Sequence, residues 1–195
     1  MKITTPTCVP SGDVVVSSLS RETPTRDDME EPKTKLKVYC ETSFWSYLTG
    51  RPTALAHIAL KQASTLAWLQ NEAPKCDLFI SEHVVQEALN GDREMSRARI
   101  GALAGTSMLD GSTPEIDALA KELLRAHAVP SDEVTDAYHI ATAAVHGMDV
   151  LLTWNCRHMA NRFALPKTIS VVSGAGYKCP AIVTPDDYMK EDLDA

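Results

Sequence analysis

Residues 136–155 read DAYHIATAAVHGMDVLLTWN. From Asp136 to Val145 the segment is almost wholly apolar, and an apolar helix of this kind is normally buried. Gly147 stops it, because glycine readily takes the left-handed conformation that ends helices. A short apolar strand follows at Val150–Thr153 and ends in Asn155. Asp136 shares a helical stripe with Ile140 and Ala143, at i+4 and i+7. A carboxylate on such a stripe is costly to bury unless it is paired or binds a cation. A strand that ends in a polar residue and turns into a helix marks where open α/β sheets place ligands.

Working outward, the same alternation recurs. LKVYC (36–40) reads as a first strand, followed by a short helix capped by Thr42 and Ser43 and running through Leu48. A long helix is expected from about Pro52 to Asn71. CDLFIS (76–81) is a second strand, leading directly into the helix SEHVVQEALN. Asp92 caps a further helix to about Leu103, and Met108-Leu109 forms a short third strand. Thr113-Pro114 opens a helix to Ala126, and Ser131 is expected to cap the helix that carries Asp136. After the fourth strand the reading places a helix over NCRHMANRFA, then a last strand at AIVTP (181–185). Strand–helix alternation implies a parallel sheet with helices on both faces. The fold class is therefore α/β, a three-layer α/β/α sandwich around a central parallel sheet. Residues 1–35, rich in Ser, Thr, Pro and charge, read as a disordered arm. Residues 186–195 read as an acidic tail.

The 195 residues are 44% hydrophobic, enough for a real core. No run reaches membrane-span length and no secretory h-region is evident, so a cytoplasmic protein with no membrane partner is expected. Five cysteines without a CxxC pair read as reduced thiols. Cys156 and His158 alone do not make a zinc site. The net charge of −7 is uneven: residues 1–36 contribute −1, residues 37–184 −2 and residues 185–195 −4. A phosphate backbone needs a basic stripe, not a basic total. Arg93, Arg97 and Arg99 form one local cluster, and Arg157, His158 and Arg162 another. Each is also what a solvated helix face looks like.

Four polar residues can lie near one edge of the sheet. Glu41 follows the first strand, and Asn155 follows the fourth. Glu87 lies on the helix after the second strand, and Asp136 on the apolar helix. Clustered carboxylates repel one another and need a cation. Oxygen ligands point to Mg²⁺ or Mn²⁺. Each residue also has a plainer reading. Glu87 lies off its helix's apolar stripe and suits a solvated position, Glu41 suits a strand end, and Asn155 suits a helix N-cap. His139 reads as a hydrogen-bonded histidine of the buried helix, and Trp45, Trp68 and Trp154 as packing residues.

The segments VYCETSFWSYLTGRP, FISEHVVQEALNGD, DAYHIATAAVHGMDVLLTWNCRHMAN and GYKCPAIVTPDDY together resemble the PIN-domain nucleases, and within them the VapC-type toxins of type II toxin–antitoxin systems. The resemblance spans residues 38–188. It implies a nuclease domain over 36–185 with a five-stranded parallel sheet and an acidic pocket. Glu41, Glu87 and Asp136 match the family's first three acids and would hold Mg²⁺ (or Mn²⁺). Asn155 matches the fourth position, completing or orienting the shell. Thr42 resembles the family's hydroxyl beside the first acid; with Ser43 and Arg157 it is a candidate for substrate binding. This chain departs from the family in carrying Glu at the first position and a neutral residue at the fourth. The activity implied is metal-dependent hydrolysis of RNA phosphodiester bonds. The implied partners are RNA and a cognate antitoxin protein, with room for a homodimer. The alternative is a catalytically inactive PIN-like module that binds RNA or protein. A haloacid-dehalogenase-type phosphohydrolase needs an Asp nucleophile and a second Asp two residues on, and CETSF has neither. Neither dinucleotide nor P-loop glycine motifs occur.

Overall fold

A computed structural model describes residues 34–191. The arm read over residues 1–35 falls almost entirely outside the described residues. Five strands form one sheet: β1 (Leu36–Cys40), β2 (Cys76–Ser81), β3 (Ser107–Leu109), β4 (Val150–Leu152) and β5 (Ala181–Val183). Their order is β3-β2-β1-β4-β5, and every neighbouring pair is parallel. Val38 sits opposite both Leu78 and Val150, which fixes the register at the centre. Val38, Tyr39, Cys40, Leu151 and Leu152 are fully buried, as expected of central strands covered on both faces.

Among the described residues eight α-helices accompany the sheet: α1 (Thr42–Thr49), α2 (Ala56–Asn71), α3 (Glu82–Ala88), α4 (Arg93–Ala102), α5 (Pro114–Arg125), α6 (Val134–Val145), α7 (Leu165–Gly174) and α8 (Pro185–Glu191). α1 packs against α2 and α4, and α2 against α8; α5 packs against α6 and α7. α3 touches both groups, through α1 and α4 on one side and α6 on the other. α6 is the apolar helix of the opening segment. Ala137, Ile140, Ala141, Ala143 and Ala144 are buried, and Gly147 ends it at φ 63°. From β1 the chain leaves toward β2 on one side, and from β4 toward β5 on the other. The crevice between the ends of β1 and β4 is thus the point where strand order reverses, the usual ligand position in an open α/β sheet.

Three local expectations are corrected. No helix covers 155–164. The Asn155 carbonyl accepts from Met159 and Ala160, and the Asn161 carbonyl from Ala164 and Leu165. The Asn161 side chain also accepts from Phe163 N. Asparagines that bond nearby backbone favour separate turns over a propagating helix. The helix instead begins at Leu165, with Pro166 in its first turn, a favoured place for proline. Ser131 caps nothing; α6 starts after Glu133, which makes no side-chain cap. Third, α2 starts at Ala56 and not near Pro52, after Thr53 Oγ1 accepts from Leu55 N at 3.2 Å. The segment read as an acidic tail begins with most of α8, and residues 192–195 lie outside the described residues. Among the described residues no helix is long and apolar enough to cross a membrane. Cys40, Cys156 and Cys179 are free thiols.

Candidate active site

Glu41 is the first residue after β1 and is only 6% exposed. Its backbone N–H donates to Leu152 O of β4 at 3.1 Å, extending the strand pairing into the crevice. Its carboxylate caps α1 by accepting from Ser43 N at 3.0 Å. The same carboxylate accepts from the Ser43 hydroxyl at 2.5 Å and the Thr153 hydroxyl at 2.8 Å, both on Oε2. Ser43 Oγ in turn accepts from Trp154 N at 2.7 Å. The first acid is therefore fixed from both strands that flank the crevice.

Glu87, on α3, is half-buried. Its Oε2 accepts from Thr42 Oγ1 at 2.5 Å and lies 2.9 Å from His139 Nε2. His139 is fully buried on α6, with Nδ1 2.8 Å from the Tyr39 hydroxyl, which also reaches Ser81 Oγ at 2.7 Å. Burial opposes ionisation of Glu87, but the His139 contact and the Thr42 hydrogen bond outweigh it and lower its pKa. Burial likewise works to lower the His139 pKa; the hydrogen bond to Glu87 and the charges of Glu41, Glu87 and Asp136 raise it overall. An ionised Glu87 can only accept, so the proton of the pair sits on His139 Nε2. Burial and the neighbouring carboxylates hold the Tyr39 phenol well above its ordinary pKa, keeping it a donor.

Asp136, in the first turn of α6, is 8% exposed. Its Oδ2 accepts from Asn155 Nδ2 at 2.7 Å and lies 3.2 Å from His158 Nδ1. His158 Nδ1 also lies 3.4 Å from Glu133 Oε1. Burial, then the charge of Glu41, push the Asp136 carboxyl up to about 6.

Glu41, Glu87 and Asp136 thus all reach the crevice, but not as one tight triad. Among the described residues, ligating atoms within 4.8 Å of one another fall into two groups, Glu41–Glu87–His139 and Glu133–Asp136–His158. The donor set, carboxylates with imidazole, fits a divalent cation.

Several side chains take roles other than those expected. Asn155 turns its nitrogen, not its oxygen, toward Asp136, because Oδ1 accepts from His158 N at 3.1 Å. It orients an acid and offers no oxygen to an ion in this rotamer. The Thr42 and Ser43 hydroxyls donate to the acids themselves, and Arg157 is exposed. Glu87 is not a simple solvated helix residue. The sequence reading missed Glu133 and Thr153, and it placed His158 in a basic cluster and not beside Asp136. The spacing of Glu133 and Asp136, i and i+3 on one helix face, was the available signal for the first.

The family model described as the PIN domain matches residues 38–158. Among curated proteins, none matches. Among solved structures, VapBC2 from Rickettsia felis, bound to a DNA fragment from its promoter, is similar with a TM-score of 0.51 at 15% identity. That likeness covers 76% of this chain and 98% of the other, and it concerns the fold. VapC20 from Mycobacterium tuberculosis, a sarcin-ricin loop cleaving toxin, has a TM-score of 0.45 at 22% identity, covering 58% of this chain and 86% of that one.

Proposed function

The chain belongs to the PIN-domain family, and on that premise we propose that it is a metal-dependent endoribonuclease acting as the toxin of a toxin–antitoxin pair. The observation that carries this reading is the convergence of Glu41, Glu87 and Asp136 on the switch-point crevice, each held by its own donors. An inactive binding module has no need to bury acids this way, since each costs desolvation. RNA as substrate and an antitoxin as partner rest on the resemblance of the four sequence segments to VapC-type toxins.

Glu41, Glu87 and Asp136 would hold Mg²⁺ or Mn²⁺. A divalent ion there supplies Lewis-acid chemistry, offsetting phosphate charge and favouring water as the nucleophile. The protein's part is to hold the acids in place. Thr153 and Ser43 fix Glu41, and His139 and Thr42 fix Glu87. Asn155 and His158 fix Asp136. Such supporting hydrogen bonds set ligand orientation and basicity. His139 keeps its proton on Nε2 toward Glu87, so Glu87 stays ionised and able to bind a cation.

The test is cleavage of a panel of RNAs with and without Mg²⁺ or Mn²⁺, by the native protein and by Asp136→Asn. Cleavage that needs the ion and is lost in the variant, with an unchanged circular dichroism spectrum, supports the reading. Unchanged cleavage by Asp136→Asn removes that residue from the site. Growth arrest on expression, absent for the same variant, is the expected result for a toxin.

A further inference from the structure

An acidic crevice repels a polyanion, so a nuclease of net charge −7 needs a cationic foothold beside it. One lies on the α1–α2 side. Ser43, which bonds both Glu41 and Trp154 N, is one helical turn from Tyr47 on the same face of α1. The Tyr47 and Trp154 rings meet edge to face, 5.7 Å apart. Lys61 of α2 lies over both, its Nζ 5.1 Å from the Tyr47 centroid and 5.2 Å from that of Trp154. One turn on from Lys61, Thr65 Oγ1 accepts from Trp154 Nε1 at 2.8 Å and pins the indole. The ammonium has three donors. Its side-chain hydrogen bond is a long one to the Tyr47 hydroxyl, 3.5 Å. No carboxylate among the described residues lies within ion-pair distance of Lys61, whereas nearby Arg51 is paired with both Asp92 and Glu94.

We infer that Lys61 and Tyr47 form a binding subsite for the RNA strand next to the scissile bond: Lys61 takes a backbone phosphate and Tyr47 stacks an unpaired base. This rests on the ribonuclease reading above and narrows its substrate to single-stranded RNA. Bases within a duplex are already stacked and cannot lie on a side chain. Trp154 is nearly buried and serves as the floor that holds the ammonium in place. Arranged this way, Lys61 is prepositioned and keeps donors for a phosphate oxygen.

Fluorescence anisotropy of a labelled twelve-nucleotide oligouridylate, in EDTA so that no cleavage enters, tests the subsite across 25–200 mM KCl with the full chain. Lys61→Ala should weaken binding about tenfold at low salt and flatten the slope of log affinity against log salt by about 0.7, one phosphate contact on a single strand. Lys61→Arg should restore both. Tyr47→Leu should lose about fivefold or more while Tyr47→Phe stays near native, because stacking needs only the ring. Melting temperatures of all variants separate these losses from unfolding. If the native protein binds the strand and Lys61→Ala binds it with the same affinity and slope, the subsite is wrong and the nuclease reading stands. If the native protein binds no single strand in EDTA, the subsite is wrong, and the nuclease reading is decided separately by the cleavage assay with Mg²⁺ or Mn²⁺.

Discussion

At the scale of single residues, the site is a set of acids whose protons and orientations are fixed by neighbours. The chain Ser81–Tyr39–His139–Glu87 is buried over most of its length. Tyr39→Phe keeps the ring but leaves Ser81 Oγ and His139 Nδ1 without their partner. Unpaired buried polar groups cost about 1–3 kcal/mol each, so this variant should unfold at lower denaturant by at least about 1 kcal/mol. An unchanged urea midpoint would show that water replaces the phenol. Asn155 carries the second prediction at this scale. Asn155→Asp replaces the amide that donates to Asp136 with a like charge. Without metal at pH 7 the variant should be less stable by about 1–3 kcal/mol. With Mn²⁺ it should bind the ion more tightly, through the added charge. Calorimetric titration and thermal melts of both proteins measure the two effects, and a variant as stable as native without metal contradicts the geometry described for Asn155.

At the scale of elements, most of the fold was legible because its strands are short apolar runs bounded by clear stops. Helix α6 could be read from its alanines and from Gly147, and β1, β2 and β4 from runs such as VYC and VLL. Glu41 was legible by its position at a strand end, as was the apolar setting of Asp136. What escaped was tertiary. Nothing local says that Asn155 and Asn161 break 155–164 into turns, or that Glu133 reaches His158 and leaves α6 without a side-chain cap. The division of the ligands into two groups depends on rotamers, which residue spacing does not set. The end of α5 shows a similar gap. His127 takes φ 52° there, with His127 N bonded to Leu124 O and Ala128 N to Leu123 O. This is the glycine position of a Schellman termination, filled by a residue strained in that conformation. His127→Gly should therefore stabilise the protein by about 0.5–1 kcal/mol in equilibrium unfolding. A loss of stability would mean that the imidazole makes a contact worth more than the strain.

At the scale of the whole molecule, the buried acids tie folding to both pH and metal. The Asp136 carboxyl, at about 6 when folded against an ordinary 3.8, binds more protons folded than unfolded between those values. Stability from this group is present in full below about pH 4 and declines as pH rises toward 6, because the unfolded chain then holds fewer protons. The metal-free protein should lose this increment across that window, and Asp136→Asn should flatten the loss. A divalent ion reverses the sense of the linkage. It binds the folded, ionised crevice and not the dispersed acids of the unfolded chain, so it stabilises most where Asp136 is ionised. At a hundredfold excess over its dissociation constant the gain is about 2.7 kcal/mol, or roughly 5–10 °C in melting temperature for a domain of this size. Thermal melts from pH 5 to 8 with and without Mn²⁺ should show a shift that grows as pH rises past 6. Asp136→Asn should shrink that shift at every pH, since the variant lacks one ligand charge. A shift of equal size in the variant, or one independent of pH, would separate metal binding from Asp136 and move the ion to Glu41 and Glu87 alone.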